Sequence, residues 1–147
     1  MTEPSALYRR VLVDTGPLVA IRRGADEHHQ RCVASLREIV PPLLTSWFVI
    51  AEAAYLLRES NAAVERLLQG PELGIYRILP LAESDLPSLS ALVRKYRNLR
   101  PQLADVSLVH LANRESLETV FSLDRRDFQV FRTAKGKRLQ LLPEGSK

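Results

Sequence analysis

Two apolar runs in this chain, RRVLVD and ETVFSLD, each stop at an aspartate, and between them short apolar runs alternate with helical spacing. That alternation limits the fold more than any other feature. RRVLVD reads as a short buried strand ending at Asp14, and Gly16-Pro17 turn the chain into a helix around Leu18 to Arg22. ADEHHQRCVASLREIV has helical spacing through Cys32, Leu36 and Ile39, with Asp26 as its expected cap. Pro41-Pro42 break it. LLTS reads as a short strand or turn. WFVIAEAAYLL is apolar nearly all round, which predicts a buried helix. NAAVERLLQ is a further helix, closed by Gly70-Pro71, and GIYRILPL a strand. SDLPSLSALVRKYR and LADVSLVHLANRES are helices, the first starting near Ser84 or Asp85. ETVFSLD is a strand ending at Asp124, and KRLQLL a last strand. Connections of this length allow crossovers, so the expected fold is an α/β domain with a central, mainly parallel sheet.

The length of 147 residues fits one domain spanning 1–147, with loose ends at 1–5 and 144–147. An apolar content of 46% argues against disorder. The longest apolar stretch, VPPLLTSWFVIAEAAYLL, carries two prolines, Thr45, Ser46 and Glu52, and makes a poor membrane span. No long apolar segment opens the chain, so no secretion signal is expected. Cys32 is the only cysteine, which excludes an intrachain disulfide and suits a reducing, cytoplasmic setting. A net charge of +4 allows a polyanionic partner but fits an ordinary basic protein equally well.

The acids carry the chemistry. Asp14-Thr15-Gly16 matches the triplet of aspartic proteases, but those need an all-β fold and a second such triplet or a dimer mate. Nothing repeats it, and Pro17 stands where a small Ala or Ser is usual. Asp14 is otherwise a helix cap or a metal ligand at a strand end. Glu52 lies among Phe48, Val49, Tyr55 and Leu56 at helical spacing. An ionised carboxylate buried there must be protonated, paired or bound to a cation; a salt bridge to an Arg or a place at the exposed edge is the alternative. Asp105 opens a helix beside Leu108, Val109 and Ala112, where the helix dipole alone favours an acid. Asp124 follows its strand as Asp14 does, with a turn role as the alternative. Asp127 is either a further acid or another cap. Carboxylates gathered beyond the strand ends would repel one another unless protons or cations intervene, and hard ions such as Mg²⁺ or Mn²⁺ suit all-oxygen ligands.

VLVDTGPLVAI, TSWFVIAEAAYLL, ADVSLVHLANRE and TVFSLDRRDF resemble, in order, the four acidic motifs of the PIN domain, and look most like its short bacterial VapC-type toxins. The resemblance spans residues 10–131. It implies a PIN-like three-layer fold, a parallel sheet flanked by helices, and divalent-metal-dependent cleavage of RNA. It implies that Asp14, Glu52, Asp105 and Asp124 form the catalytic, metal-binding quartet, with Thr15 and Ser122 as hydroxyl residues beside it. It also implies a small cognate antitoxin as partner and allows a homodimer. One departure is Gln102, where many relatives carry an additional acid three positions before the third aspartate; Asp127 is the residue able to compensate.

Cations near such a pocket would offset repulsion of RNA. Arg125 and Arg126 adjoin Asp124 and are the first candidates for phosphate contacts, with RRG at 22–24 and RKYRNLR at 94–100 as further ones. Tyr96 and Trp47 are candidates for base stacking, with packing the alternative for Trp47. His28, His29 and Cys32 lack a second half and make a poor zinc signature, and His110 reads as helix packing. Two other readings remain: a free-standing RNA-processing PIN nuclease, and a non-enzymatic phosphoacceptor or binding module. The phosphoacceptor wants adjacent early acids, a central Asp at a strand end and a late Lys; VLVD has one acid and GIYRILPL ends without one.

Overall fold

The computed structural model describes residues 7–145. The expected loose ends at 1–5 and 146–147 lie outside that range. Glu144, also expected to be loose, accepts a hydrogen bond from the Tyr8 hydroxyl.

In chain order the elements are β1 (Leu12–Val13), α1 (Thr15–Arg22), α2 (His29–Leu36), β2 (Leu43–Thr45), α3 (Trp47–Leu56), α4 (Asn61–Leu68), β3 (Tyr76–Ile78), α5 (Leu86–Lys95), α6 (Leu103–Glu115), β4 (Thr119–Phe121), α7 (Arg125–Phe128) and β5 (Gln140–Leu142). Short 3₁₀ turns at Glu83–Asp85 and Arg97–Leu99 flank α5. The five strands form one parallel sheet in the order β3-β2-β1-β4-β5, flanked by the helices. The parallel sheet is the one expected from the alternation, and its helical layers match the PIN-like three-layer fold that the resemblance implied. Leu12 pairs with Leu44 on one side and Val120 on the other. Val11, Leu12, Val13, Val120 and Phe121 are fully buried, as continuous apolar strands covered on both faces must be.

Local chemistry sets the boundaries. Ser46 caps α3 and Ser60 caps α4, each accepting a backbone N–H from the first turn. α6 stops at Ser116, whose φ of 55° places it in the left-handed region that closes helices. Gly70 lets the Tyr76 ring lie against the backbone: a Cβ there would sit 2.0 Å from the ring, which the Tyr76 hydroxyl holds in place by donating to Leu67 O at 2.8 Å.

Three local expectations need correction. Asp26 does not cap α2: it accepts from His28 N, and the helix starts only at His29, because the chain makes a separate turn first. The α3 helix is not buried all round. Val49, Ile50 and Ala53 face the core, while Trp47 and Tyr55 are 62% and 61% exposed. A helix in the outer layer of three has only one face to bury, whatever its composition. Tyr96, proposed as a base-stacking residue, is buried; its ring packs edge-on against Phe131 at 4.9 Å and its hydroxyl accepts from Arg132 N. No helix among the described residues is long and apolar enough to cross a membrane.

Candidate functional site

The chain leaves β1 toward β2 and β3, then returns past β1 to add β4 and β5. The order therefore reverses at the β1–β4 boundary, where a crevice opens beyond the carboxyl ends of the strands. Asp14 follows β1 there and Ser122 follows β4. A cleft of about 440 Å³ at this point is lined by Asp14, Thr15, Glu52, Asp105, Asp124 and Asp127. All five acids singled out in the sequence meet in one place.

Asp14 stands at the cap position of α1 but makes no side-chain capping bond. Its Oδ2 accepts from Ser122 Oγ at 2.8 Å. Its Oδ1 is buried without a partner. At 5% exposure this is an expensive place for a carboxylate. Burial pushes its pKa up to about 6, with the Glu52 and Asp124 charges adding and the Ser122 hydrogen bond opposing. Ser122 also accepts from Asp124 N at 3.0 Å, so one hydroxyl ties the two strand ends together.

Of the two places the sequence allowed, an apolar stripe or its exposed edge, Glu52 takes the edge and lies half-buried at the rim. α3 turns its outer flank to solvent, and Glu52 sits at the border of that flank. Thr15 Oγ1 donates to Glu52 Oε1 at 2.5 Å, which fixes α3 relative to α1.

Asp105, in the first turn of α6, is 8% exposed. Burial raises its pKa to about 8, and Asp14, Asp124, Asp127 and Glu52 all push in the same direction. Asp124 is the N-cap of α7, accepting from Asp127 N at 3.4 Å. Its turn role and its place in the cleft are thus compatible. Asp127 is raised by burial and by Asp124, with Arg126 opposing. Ligand oxygens of Asp105, Asp124 and Asp127 all lie within 4.8 Å of one another, the one such acid, His or Cys group among the described residues. Asp127 is therefore a full member of the constellation rather than an afterthought. Its spacing of three from Asp124 was the available signal, since a one-turn helix brings such residues together.

Gln102 occupies the N-cap position of α6 on the lip of the cleft and makes no capping bond. Arg100, from the RKYRNLR run, also lines the cleft and is exposed. Arg125 does not: its guanidinium donates to Pro143 O at 2.6 Å. Arg126 is exposed on α7. Among the motifs set aside, His29 Nδ1 bonds to Ala20 O at 2.8 Å and Cys32 is buried. His110 bonds to Asp85 at 2.8 Å between α6 and the turn before α5, a packing role that also lowers the Asp85 pKa to about 2.

The donor set fits a hard divalent cation. Every ligand atom is a carboxylate oxygen, those of Asp105, Asp124 and Asp127 lie close enough together to share one cation, and Asp14 Oδ1 is a buried acceptor with nothing to accept from.

The PIN domain family matches residues 11–134. Ribonuclease VapC26 of Mycobacterium tuberculosis (strain ATCC 25618 / H37Rv) is 28% identical over 138 residues, covering 90% of this chain and 100% of that protein. The crystal structure of Mycobacterium tuberculosis VapC20, titled a Sarcin-Ricin loop cleaving toxin, superposes with a TM-score of 0.72 at 15% identity, covering 79% of this chain and 91% of that one. This likeness establishes the shared fold.

Proposed function

The chain belongs to the PIN domain family, and on that premise we propose that it is a divalent-metal-dependent endoribonuclease, the toxin of a VapBC-type pair. The observation that carries this reading is the convergence of Asp14, Glu52, Asp105, Asp124 and Asp127 on one cleft at the sheet's switch point. The relatives add that one similar protein is named a ribonuclease and another a Sarcin-Ricin loop cleaving toxin.

In this reading Asp14, Asp105 and Asp124, with Asp127 and Glu52, hold Mg²⁺ or Mn²⁺. When bound, the cation would supply Lewis-acid stabilisation of charge on the attacked phosphate and would lower the pKa of water. The chain's own residues do the rest. Ser122 holds Asp14 Oδ2 and leaves Oδ1 for the cation. Thr15 holds Glu52 through Oε1, and a carboxylate of the set would accept the proton of the attacking water. Asp105 and Asp14, raised to about 8 and about 6, would have to be ionised to hold the cation, so binding would weaken toward acid pH. Arg100 on the cleft wall and Arg126 beside it offset the repulsion between the acids and the RNA backbone. Residues 1–147 act as a single domain in the cytoplasm. A small antitoxin holds the enzyme inactive, and a homodimer is compatible with this arrangement.

The test is cleavage of RNA by purified protein with Mn²⁺ or Mg²⁺, against EDTA and against Asp14→Asn. Cleavage that needs the metal and is lost in the variant is expected. Activity that survives EDTA, or that is equal in Asp14→Asn, overturns the mechanism.

A further inference from the structure

A second cavity, of about 270 Å³, lies at the opposite end of α6 from Asp105. Its wall includes Asn113 and Ser116 from the end of α6 and Thr133, Lys135, Lys137 and Arg138 from the segment before β5. That segment is distinctive in charge: residues 129–143 read QVFRTAKGKRLQLLP, without a single acid. Arg132 turns its guanidinium inward to the carbonyls of Gln129, Val130 and Phe131. Lys135, Lys137 and Arg138 are exposed, and among the described residues none has a carboxylate within salt-bridge distance. Glu118 is the one acid on the wall, so the cations outnumber it.

The turn that carries them is built rather than loose. Thr133 N donates to Lys137 O and Gly136 N to Thr133 O, both at 2.8 Å. Lys137 N donates to Thr133 Oγ1 at 3.2 Å. Ala134 N donates to Asn113 Oδ1 at 2.7 Å, pinning the turn to α6. Gly136 has φ 77° and supplies the left-handed position that the turn needs. Like charges are thus held together on a framework that does not neutralise them. Such an arrangement is unfavourable without an anion and favourable with one.

We propose that this cavity is a second RNA-backbone site, which seats a phosphate of the substrate away from the cleft. The proposal deepens the ribonuclease reading and takes the ligand's identity from it. The geometry favours a long substrate. Asp105 and Asn113 lie on one helix about 12 Å apart along its axis, at 1.5 Å per residue. Stacked nucleotides advance about 3.4 Å each along a strand, so a stem or loop touches both ends of the domain and a very short oligonucleotide does not. The cleft repels phosphates except where a cation sits, and the basic wall supplies the missing attraction.

Fluorescence anisotropy in Mg²⁺ tests it, in an Asp105→Asn background that halts turnover, with two probes: a long RNA hairpin and a dinucleotide, whose single phosphodiester cannot occupy both ends at once. Lys135→Ala/Lys137→Ala/Arg138→Ala should weaken hairpin binding about tenfold or more and reduce the salt slope by about one, as loss of one neutralised phosphate requires, with the loss confined to the hairpin. Lys135→Arg/Lys137→Arg should keep hairpin affinity, separating charge from misfolding. Unchanged hairpin affinity and slope in the triple variant overturn the site. So does a polyglutamate peptide that binds the parent more tightly than the hairpin and is lost in the triple variant, which assigns the cavity to an acidic protein. A native chain that binds the hairpin through these residues but never cleaves RNA removes the nuclease reading and keeps the site. One that cleaves the hairpin undiminished after the triple substitution does the opposite.

Discussion

Asp14 and Asp105 are carboxyls in surroundings that favour their neutral forms, and their raised pKa values set the pH behaviour of the metal-free protein. In the unfolded chain both titrate near 3.8. Folded, Asp105 moves to about 8 and Asp14 to about 6. Between the two values the folded state binds a proton that the unfolded state has released, so stability falls as pH rises. The effect of Asp14 runs from about pH 4 to 6 and that of Asp105 continues to about pH 8. In EDTA the native protein should therefore melt lower near pH 8 than near pH 5, and Asp105→Asn should flatten that slope. Thermal melts across pH decide it. An Asp105→Asn protein that melts clearly below native in EDTA at the alkaline end would assign the residue to structure instead.

The site is assembled by short contacts between elements. Ser46 caps α3 and its hydroxyl meets that of Ser107 on α6 at 2.7 Å, both fully buried. Ser107 in turn donates to Ala104 O at 2.7 Å. This chain fixes the helix bearing Glu52 against the one bearing Asp105. Ser60 caps α4 in the same manner, exposed and outside the cleft lining. Ser46→Ala should cost about 1–3 kcal/mol of stability and reduce cleavage, because it leaves a buried hydroxyl short of a partner as well as a helix uncapped. Ser60→Ala should cost roughly 0.5–1 kcal/mol and leave cleavage unaltered. Equal effects on activity would show that the α3–α6 contact does not position the acids. The same elements show what composition conceals. The all-apolar look of WFVIAEAAYLL comes from residues such as Trp47 and Tyr55 that the fold leaves outside.

Across the whole molecule, the repulsion among the acids is a cost that metal should relieve. Binding to the folded state alone stabilises by about 2.7 kcal/mol at a hundredfold excess over Kd. Mn²⁺ should therefore raise the melting temperature of the native protein well above its value in EDTA, and raise that of Asp124→Asn much less. Equal Mn²⁺ shifts in the two proteins would remove Asp124 from the ligand set and leave Asp127 as the fourth acid. On induction without a partner, the native chain should slow growth of a suitable host and Asp105→Asn should restore it. If both are harmless while well expressed, the toxin reading yields to a free-standing processing nuclease.

Strand-end acids, helix periodicity and the parallel α/β class were legible in the sequence because each depends on residues close together along the chain. Asp14 and Asp124 stop apolar runs, and nothing distant is needed to see it. Which reading of each acid holds was not legible. Asp14 is a strand-end residue without a capping bond because Ser122, far along the chain, takes one oxygen and the sheet buries the other. Glu52 is at the rim because α3 lies in an outer layer. Asp127 joins Asp105 because α7 is a single turn set against the start of α6. Arg125 points to Pro143, and Tyr96 packs on Phe131. Burial and mutual distance are properties of the folded chain: crossovers bring residues together from far along it, and periodicity says which face an element has but not what will cover it.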